Sequence, residues 1–202
     1  MTLPTPRAAH RPSRRQAVVD AAMNLFAAQT PDAVTVADIA ERAGMTSAAV
    51  YYHFATKDQI LLEGLQSFGA ALVAHVAETV EALPRGERLG GTLTRILYWI
   101  DRHEAAGKVY FISSVGLNQE VEVLHRLRRA ELLELLGKAV RRARGRVGAS
   151  EAAVIGIGLL SLLETAASAW LARDLTYQKL GHRAFMAEVV ALTDKVTGMA
   201  DE

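Results

Sequence analysis

Val34 to Gln59 reads VTVADIAERAGMTSAAVYYHFATKDQ, and this stretch decides the fold. It parses as two short helices joined by a tight turn, followed by the start of a third. Thr35 is placed to cap a first helix whose inner face is Val36, Ile39, Ala40 and Ala43. Gly44 follows the last periodic residue, where a left-handed backbone ends a helix at least cost. Thr46 or Ser47 then caps a second helix running to about Phe54, with Val50 and Phe54 four apart on its inner side. The geometry expected is helix-turn-helix, in which the second helix lies in a DNA major groove and its early residues face base edges.

The residue types suit that task. Ala48 and Ala49 keep the leading face of the second helix slim, and Tyr51, Tyr52 and His53 point largely outward, where their polar atoms can meet phosphate oxygens. Lys57 opens the next helix behind a Thr56/Gln59 capping-box pattern, so its charge and a helix N-terminus can act on one phosphate. The same segment also has a purely structural reading as a helical corner.

The run T-V-x-D-I-A-E-R-A-G-M-T-S-x-x-V-Y-Y-H-F-x-T-K-x-Q-I-L, Thr35 to Leu61, resembles the N-terminal signature of tetracycline-repressor (TetR) family regulators. The resemblance covers about Arg14 to Leu65; beyond it only the helical length and layout agree. It implies a homodimeric, ligand-responsive transcription factor, usually a repressor. It also implies phosphate and base contacts at Thr35, Thr46, Ser47, Tyr51, Tyr52, His53 and Lys57. Thr46, Ser47, Ala48 and Tyr52 would approach bases, Ala48 through apolar contact with a thymine methyl, while Thr35, His53 and Lys57 would position the backbone. The second helix carries no Arg, Asn or Gln, so it lacks the strongest base-reading groups and the operator is not legible from it.

The whole chain has 202 residues, of which 50% are hydrophobic, with 5 Pro and long helical periodicities, and reads as all-α. The expected plan is about nine helices: an arm and helix-turn-helix domain over residues 1–56, and a ligand-binding and dimerisation domain over 57–202. The net charge of +1 is too small to argue for a polyanion partner, so charge has to be read by location. Residues 1–15 carry Arg7, Arg11, Arg14 and Arg15 with no acid, an arm expected to be disordered at first and drawn to phosphates, unless it is an ordinary solvated tail. Cysteine is absent, which excludes disulfides. No secretory pattern opens the sequence, and a cytoplasmic location is expected. The apolar window 152–172 approaches spanning length, but its glycines, hydroxyls and central Glu164 make it a weak span.

Further along, Ser13 should cap a helix reaching about Gln29, packed on the helix-turn-helix. A long helix, about Lys57 to Leu83, carries the stripe Ile60, Leu61, Leu65, Phe68, Leu72, Val76 and Val80 and would connect the two domains over roughly 40 Å. A helix to about Ala105 buries Leu93, Ile96, Leu97 and Ile100; Gly107 is read as the break before a short helix, Val109 to about Asn118. Next comes an amphipathic helix from Glu120 to about Arg144, with Leu127 and Leu135 on its apolar side and a basic end that suits a helix C-terminus. Ser150 should cap a helix to about Arg173, and after a break at 175–181 a last helix spans about 183–196. Glycine, alanine and serine on the penultimate helix suggest that helices 150–173 and 183–196 meet a copy of themselves in a four-helix seam.

An effector cavity is expected between the connector helix and its successors, with Trp99, His103, Phe111, Ser114, Asn118, Glu164 and Ser168 as candidate lining; Trp99 and Phe111 also read as plain core. A largely hydrophobic small molecule would bind there and tilt helix 57–83. Six scattered histidines, with no H-E-x-x-H, phosphate loop or nucleophile elbow, point away from an enzyme, a metal site or a cofactor. The competing class is an all-helical small-molecule or lipid-binding protein whose helix-turn-helix is only structural.

Overall fold

The computed structural model describes residues 13–199. Among them the chain forms nine α-helices and no strand: α1 (Arg14–Ala28), α2 (Val36–Arg42), α3 (Ser47–His53), α4 (Lys57–Glu81), α5 (Gly90–Arg102), α6 (Glu104–Lys108), α7 (Gln119–Arg144), α8 (Ala149–Ala172) and α9 (Leu175–Val196). The arm residues 1–12, with Arg7 and Arg11, lie outside the described residues.

Local chemistry sets the N-terminal boundaries. Ser13 Oγ accepts the Gln16 N–H at the start of α1, and a 3-10 turn at Pro31–Ala33 leads into α2. Val18, Val19, Ala22 and Phe26 of α1 are buried against Ile39, Ala40, Val50 and Phe54. The α4 stripe is buried at all seven expected positions, Ile60 to Val80, and each such large side chain contributes about 1.5–3 kcal/mol. α4 packs on α1, α5 and α7, which makes it the shared wall of the N-terminal helices and the larger bundle. Its 25 residues span about 38 Å. Both α4 and α8 are long and apolar enough to cross a membrane; the sequence reading singles out only the second.

Several boundaries differ from expectation. The break after α5 falls at His103 (φ −112°, ψ 38°), not at Gly107, which is buried inside α6. A Cβ on Gly107 would come within 3.1 Å of Leu171 and 3.3 Å of Ile100, so this glycine serves packing. Val109–Ser113 then forms a π turn, closed by Ser114 N–H donating to the Val109 carbonyl (2.9 Å). α8 begins at Ala149 with Gly148 as its cap, so Ser150 caps nothing. Helix resumes at Leu175 under an Asp174 cap, and the true break is Gly181 (φ 74°). Leu127 is exposed rather than packed. α5 has no cap of its own; buried Asp194 of α9 accepts the Gly90 N–H (3.1 Å).

The small residues of α8 do two different jobs. Gly156 faces α7, where an added Cβ would sit 3.2 Å from the Gly137 backbone nitrogen, so the close approach expected at a dimer seam is used within the chain. The outward face is Ala153, Val154, Ile157 and Ser161, with Val154 and Ile157 exposed.

Candidate nucleic-acid interface and effector cavity

The turn between α2 and α3 is built from backbone rules. Gly44 has φ +66°, Met45 N–H donates to Ala40 O (2.9 Å) and Gly44 N–H to Glu41 O (3.1 Å), the paired bonds of a Schellman stop. Thr46 Oγ1 accepts the Ala49 N–H (3.2 Å) and starts α3 at once. Val50 and Phe54 lock the inner side. The outer side is left bare: Tyr51 is 55% and Tyr52 86% exposed, and Thr46 and Ala48 are exposed with them. Arg14 borders a cleft of about 570 Å³ whose other walls include Ala43, Gly44, Thr46 and Ala49, so Arg14 and the first turn of α3 share one cleft. Ser47 and His53 are half-buried, and the His53 ring meets Tyr52 edge-on at 5.2 Å.

Three residues expected at the DNA have duties within the fold. Thr35 donates its hydroxyl (2.7 Å) and its N–H (2.8 Å) to Asp38, and accepts the Asp38 N–H in return. No donor remains on Thr35 for a phosphate unless Asp38 gives way, which corrects its expected role. Those bonds hold the Asp38 carboxyl below the usual carboxylate range, the hydroxyl bond first. Lys57 Nζ donates to Pro31 O (2.6 Å) and Val34 O (2.8 Å), the carbonyls of the turn that sets α2. Only one of its three N–H groups is then left, so Lys57 is first a strut for the domain. Arg15, grouped with the arm by composition, sits on α1, bonded to Glu63 of α4 and to the His53 carbonyl, with its guanidinium 3.9 Å above the Phe54 ring. Glu63 raises its pKa, chiefly through the hydrogen bond. The capping box at α4 is also shifted: Gln59 accepts from the Ala55 N–H instead of Thr56.

The expected effector lining divides between two places. Phe111 and Glu164 line a cavity of about 250 Å³ between the π turn, α7 and α8, and buried Ser114 is tied to it through His125 Nε2 (3.1 Å). Trp99 and His103, stacked at 4.1 Å, instead line a more open cleft of about 550 Å³ against α1 and α4. Asn118 caps α7 by accepting the Val121 N–H (2.9 Å), and Ser168, half-buried on α8, lines neither space. The sequence reading missed Tyr110, His125 and Arg129 in the smaller cavity. Arg129 pairs there with Glu164. Burial lowers the His125 pKa and raises that of Tyr110 to about 12, so both are neutral near pH 7. His125 carried one legible signal: it lies four residues from Val121 on the buried side of α7.

A capped helix, a glycine stop and a slim exposed second helix, braced by α1 and α4, define a helix-turn-helix protein. Residues 18–63 match the family described as bacterial regulatory proteins, tetR family. The repressor KstR2 of Mycobacterium tuberculosis (strain H37Rv) is 34% identical over 99 residues, 48% of this chain and 50% of its own. The regulator BetI of Rhizobium meliloti is 28% identical over 122 residues, 59% of this chain and 60% of its own. The chain thus aligns with between about half and three-fifths of the length of these curated relatives. A TetR-like regulator from Rhodococcus sp. RHA1 superposes with a TM-score of 0.72 at 20% identity, covering 96% of this chain and all of that one. A tetR-family regulator from Streptomyces coelicolor gives 0.68 at 22% identity, covering 91% and 79%. Residues 18–63 are thus a tetR-family helix-turn-helix region, and the chain shares the fold of the two solved regulators.

Proposed function

We propose that this chain is a transcriptional repressor that binds a palindromic operator as a homodimer and leaves it when a small effector occupies the larger domain. The bare outer side of α3 carries the reading: Thr46, Ala48, Tyr51 and Tyr52 are exposed on a helix whose opposite side is fixed by Val50 and Phe54. A tyrosine 86% exposed gains nothing from the fold, whereas a phosphate or base edge gives its hydroxyl and ring a partner. The division of labour follows from that placement. Thr46, Ser47, Ala48 and Tyr52 approach bases, Arg14, Tyr51 and His53 serve the backbone, and Lys57 offers phosphate its one remaining N–H.

Dimerisation is part of the same proposal. The outward face of α8, with exposed Val154 and Ile157, continues onto exposed Leu192 and Val196 of α9. Two copies pairing there form a four-helix seam and set two α3 helices at one helical turn, about 34 Å, or a related spacing. Action in the cytoplasm follows from the DNA target, and we assign the chain no catalytic step. The ligand of one structural neighbour, stearoyl-CoA in FadR of Bacillus subtilis, is not transferred, because a 250 Å³ cavity takes a small molecule and not a long-chain acyl thioester.

The test is titration of a duplex recovered from random-sequence DNA with the protein and with Ala48→Glu. Ala48 is an exposed helix position, so the variant keeps its fold, while a carboxylate in the groove repels phosphates. We expect binding to fall at least roughly a hundredfold, the scale of one repelled, desolvated charge. Equal affinity would make the helix-turn-helix a structural corner and favour the small-molecule or lipid-binding class.

A further inference from the structure

The far end of the connector holds a concentration of charge that the DNA reading does not use. α4 starts beside the helix-turn-helix and carries the chain about 38 Å from it. There the turn after α4 and the last turns of α7 enclose a cleft of about 680 Å³. Arg85, Lys138, Arg141, Arg142 and Arg144 line it, and no acid among the described residues does. The whole chain has a net charge of only +1, so these cations are a local excess.

Cations are expected at the end of α7, where they offset the last carbonyls of a helix. Here those carbonyls have other partners. Gly145 N–H donates to Arg141 O (3.0 Å), Gly86 N–H to Arg142 O (3.3 Å) and Arg146 N–H to Arg144 O (2.8 Å). Two guanidiniums are anchored with donors left over: Arg142 bonds the Leu83 carbonyl through Nε, and Arg144 holds Glu151 through one terminal nitrogen (2.6 Å). Arg85, Lys138 and Arg141 make no hydrogen bond or ion pair among the described residues. Glu134 borders a neighbouring cleft with Lys138 and Arg141 but pairs with neither. Gly86 (φ 79°) and Gly145 (φ 69°) also line the charged cleft, and a Cβ on either would meet no atom within 4 Å, so the approach is open.

Unpaired cations gathered in one cleft repel each other, and a bound anion relieves that repulsion. From Lys138 to Arg144 the row runs roughly 9 Å along α7, too far for a single phosphate group to meet all of it. A duplex would bridge the rim of a concave cleft, whereas a flexible chain of phosphates can enter it. We propose that this cleft binds a linear oligophosphate, free or carried on a nucleotide, through Arg85, Lys138, Arg141 and the spare N–H groups of Arg142 and Arg144. The site is separate from the helix-turn-helix and does not rest on the regulator reading above.

The experiment is calorimetry at pH 7 in low salt, without divalent metal, titrating the full chain with orthophosphate, tripolyphosphate and ATP. Tripolyphosphate should bind at least roughly tenfold more tightly than orthophosphate, and Arg85→Gln with Arg141→Gln should weaken it by at least a similar factor. Neither side chain is bonded in the fold, so that variant keeps its structure, which its melting curve checks. Arg95→Gln with Arg126→Gln removes the same charge from exposed positions outside the cleft and should leave tripolyphosphate binding within about twofold. ATP bound as tightly as tripolyphosphate assigns recognition to the phosphate chain alone; ATP bound more tightly assigns the chain to a nucleotide. No binding of tripolyphosphate to folded protein, or equal losses in the two double variants, overturns the proposal. So does conversion of a dimer to monomer by the cleft variant in sedimentation velocity, which makes the cleft a subunit contact. A loss of duplex affinity in the cleft variant larger than in the control makes it a second nucleic-acid surface and overturns the proposal as well. Failure of any duplex to bind the parent protein strikes the regulator reading instead, and leaves the calorimetry to decide the cleft.

Discussion

Replacing Lys57 by methionine keeps the apolar stem and removes the ammonium that holds the Pro31 and Val34 carbonyls. Hydrogen bonds from a charged donor contribute about 1.5–3 kcal/mol each. The site is only partly buried, so water can replace some of the loss, and the lower end applies: about 3 kcal/mol for the two bonds together. At about 2–4 °C per kcal/mol for a chain of this size, the melting temperature should fall by about 6–12 °C. Thermal melting measures that shift and urea denaturation the free-energy loss, both at fixed protein concentration so that any assembly term stays constant. A loss under about 1 kcal/mol would refute the strut and return Lys57 to a role at phosphate alone. The consequence is practical: a DNA-binding defect in a Lys57 variant is not by itself evidence of a DNA contact, because the α2 entry turn is loosened as well.

Other outcomes follow from the same geometry. Gly44→Ala meets no atom within 4 Å, so its cost is only that of a left-handed alanine, about 1–2 kcal/mol, read as a lowered urea midpoint with an unchanged slope. Asp38 has a depressed folded-state pKa, so its stabilisation is present above the unfolded carboxylate value and fades as pH falls through the folded one. Asp38→Asn should therefore be less stable than the parent at pH 7, with the gap closing in acid; a gap independent of pH would refute the capping account. Ile157→Arg places a charge on the outward face of α8 and should give a folded monomer by sedimentation velocity, with weakened operator binding; a persisting dimer would move the seam elsewhere.

The helix-turn-helix was legible nearly residue by residue because its determinants are local. Thr35 and Thr46 cap by reaching three residues ahead, and Gly44 stops α2 by its own backbone angle. The stripe of α4 was legible for a similar reason, periodicity over many turns. What escaped depends on partners far away in sequence. Arg15 bonds Glu63 forty-eight residues on, Gly90 is capped by Asp194 from the last helix, and Gly156 fits against Gly137 of a different helix. No local rule marks the π turn at Val109, since its residues would equally continue an ordinary helix, and the break at His103 carries neither Gly nor Pro. The cavity was half-found on that account. Phe111 and Glu164 stand out as an aromatic and a lone carboxylate, whereas Arg129 reads as one of many surface arginines until Glu164 is placed beside it.

The central claim is that two copies of α3 read two half-sites. Selection of bound duplexes from random-sequence DNA, followed by titration of the recovered duplex across salt concentrations, tests it most directly. The account predicts a palindrome with half-site centres about 10 base pairs apart or a related spacing, two chains bound per duplex, and affinity falling steeply with salt. Recovery of no common sequence by well-folded protein, or a salt-insensitive complex with one chain per duplex, would contradict it.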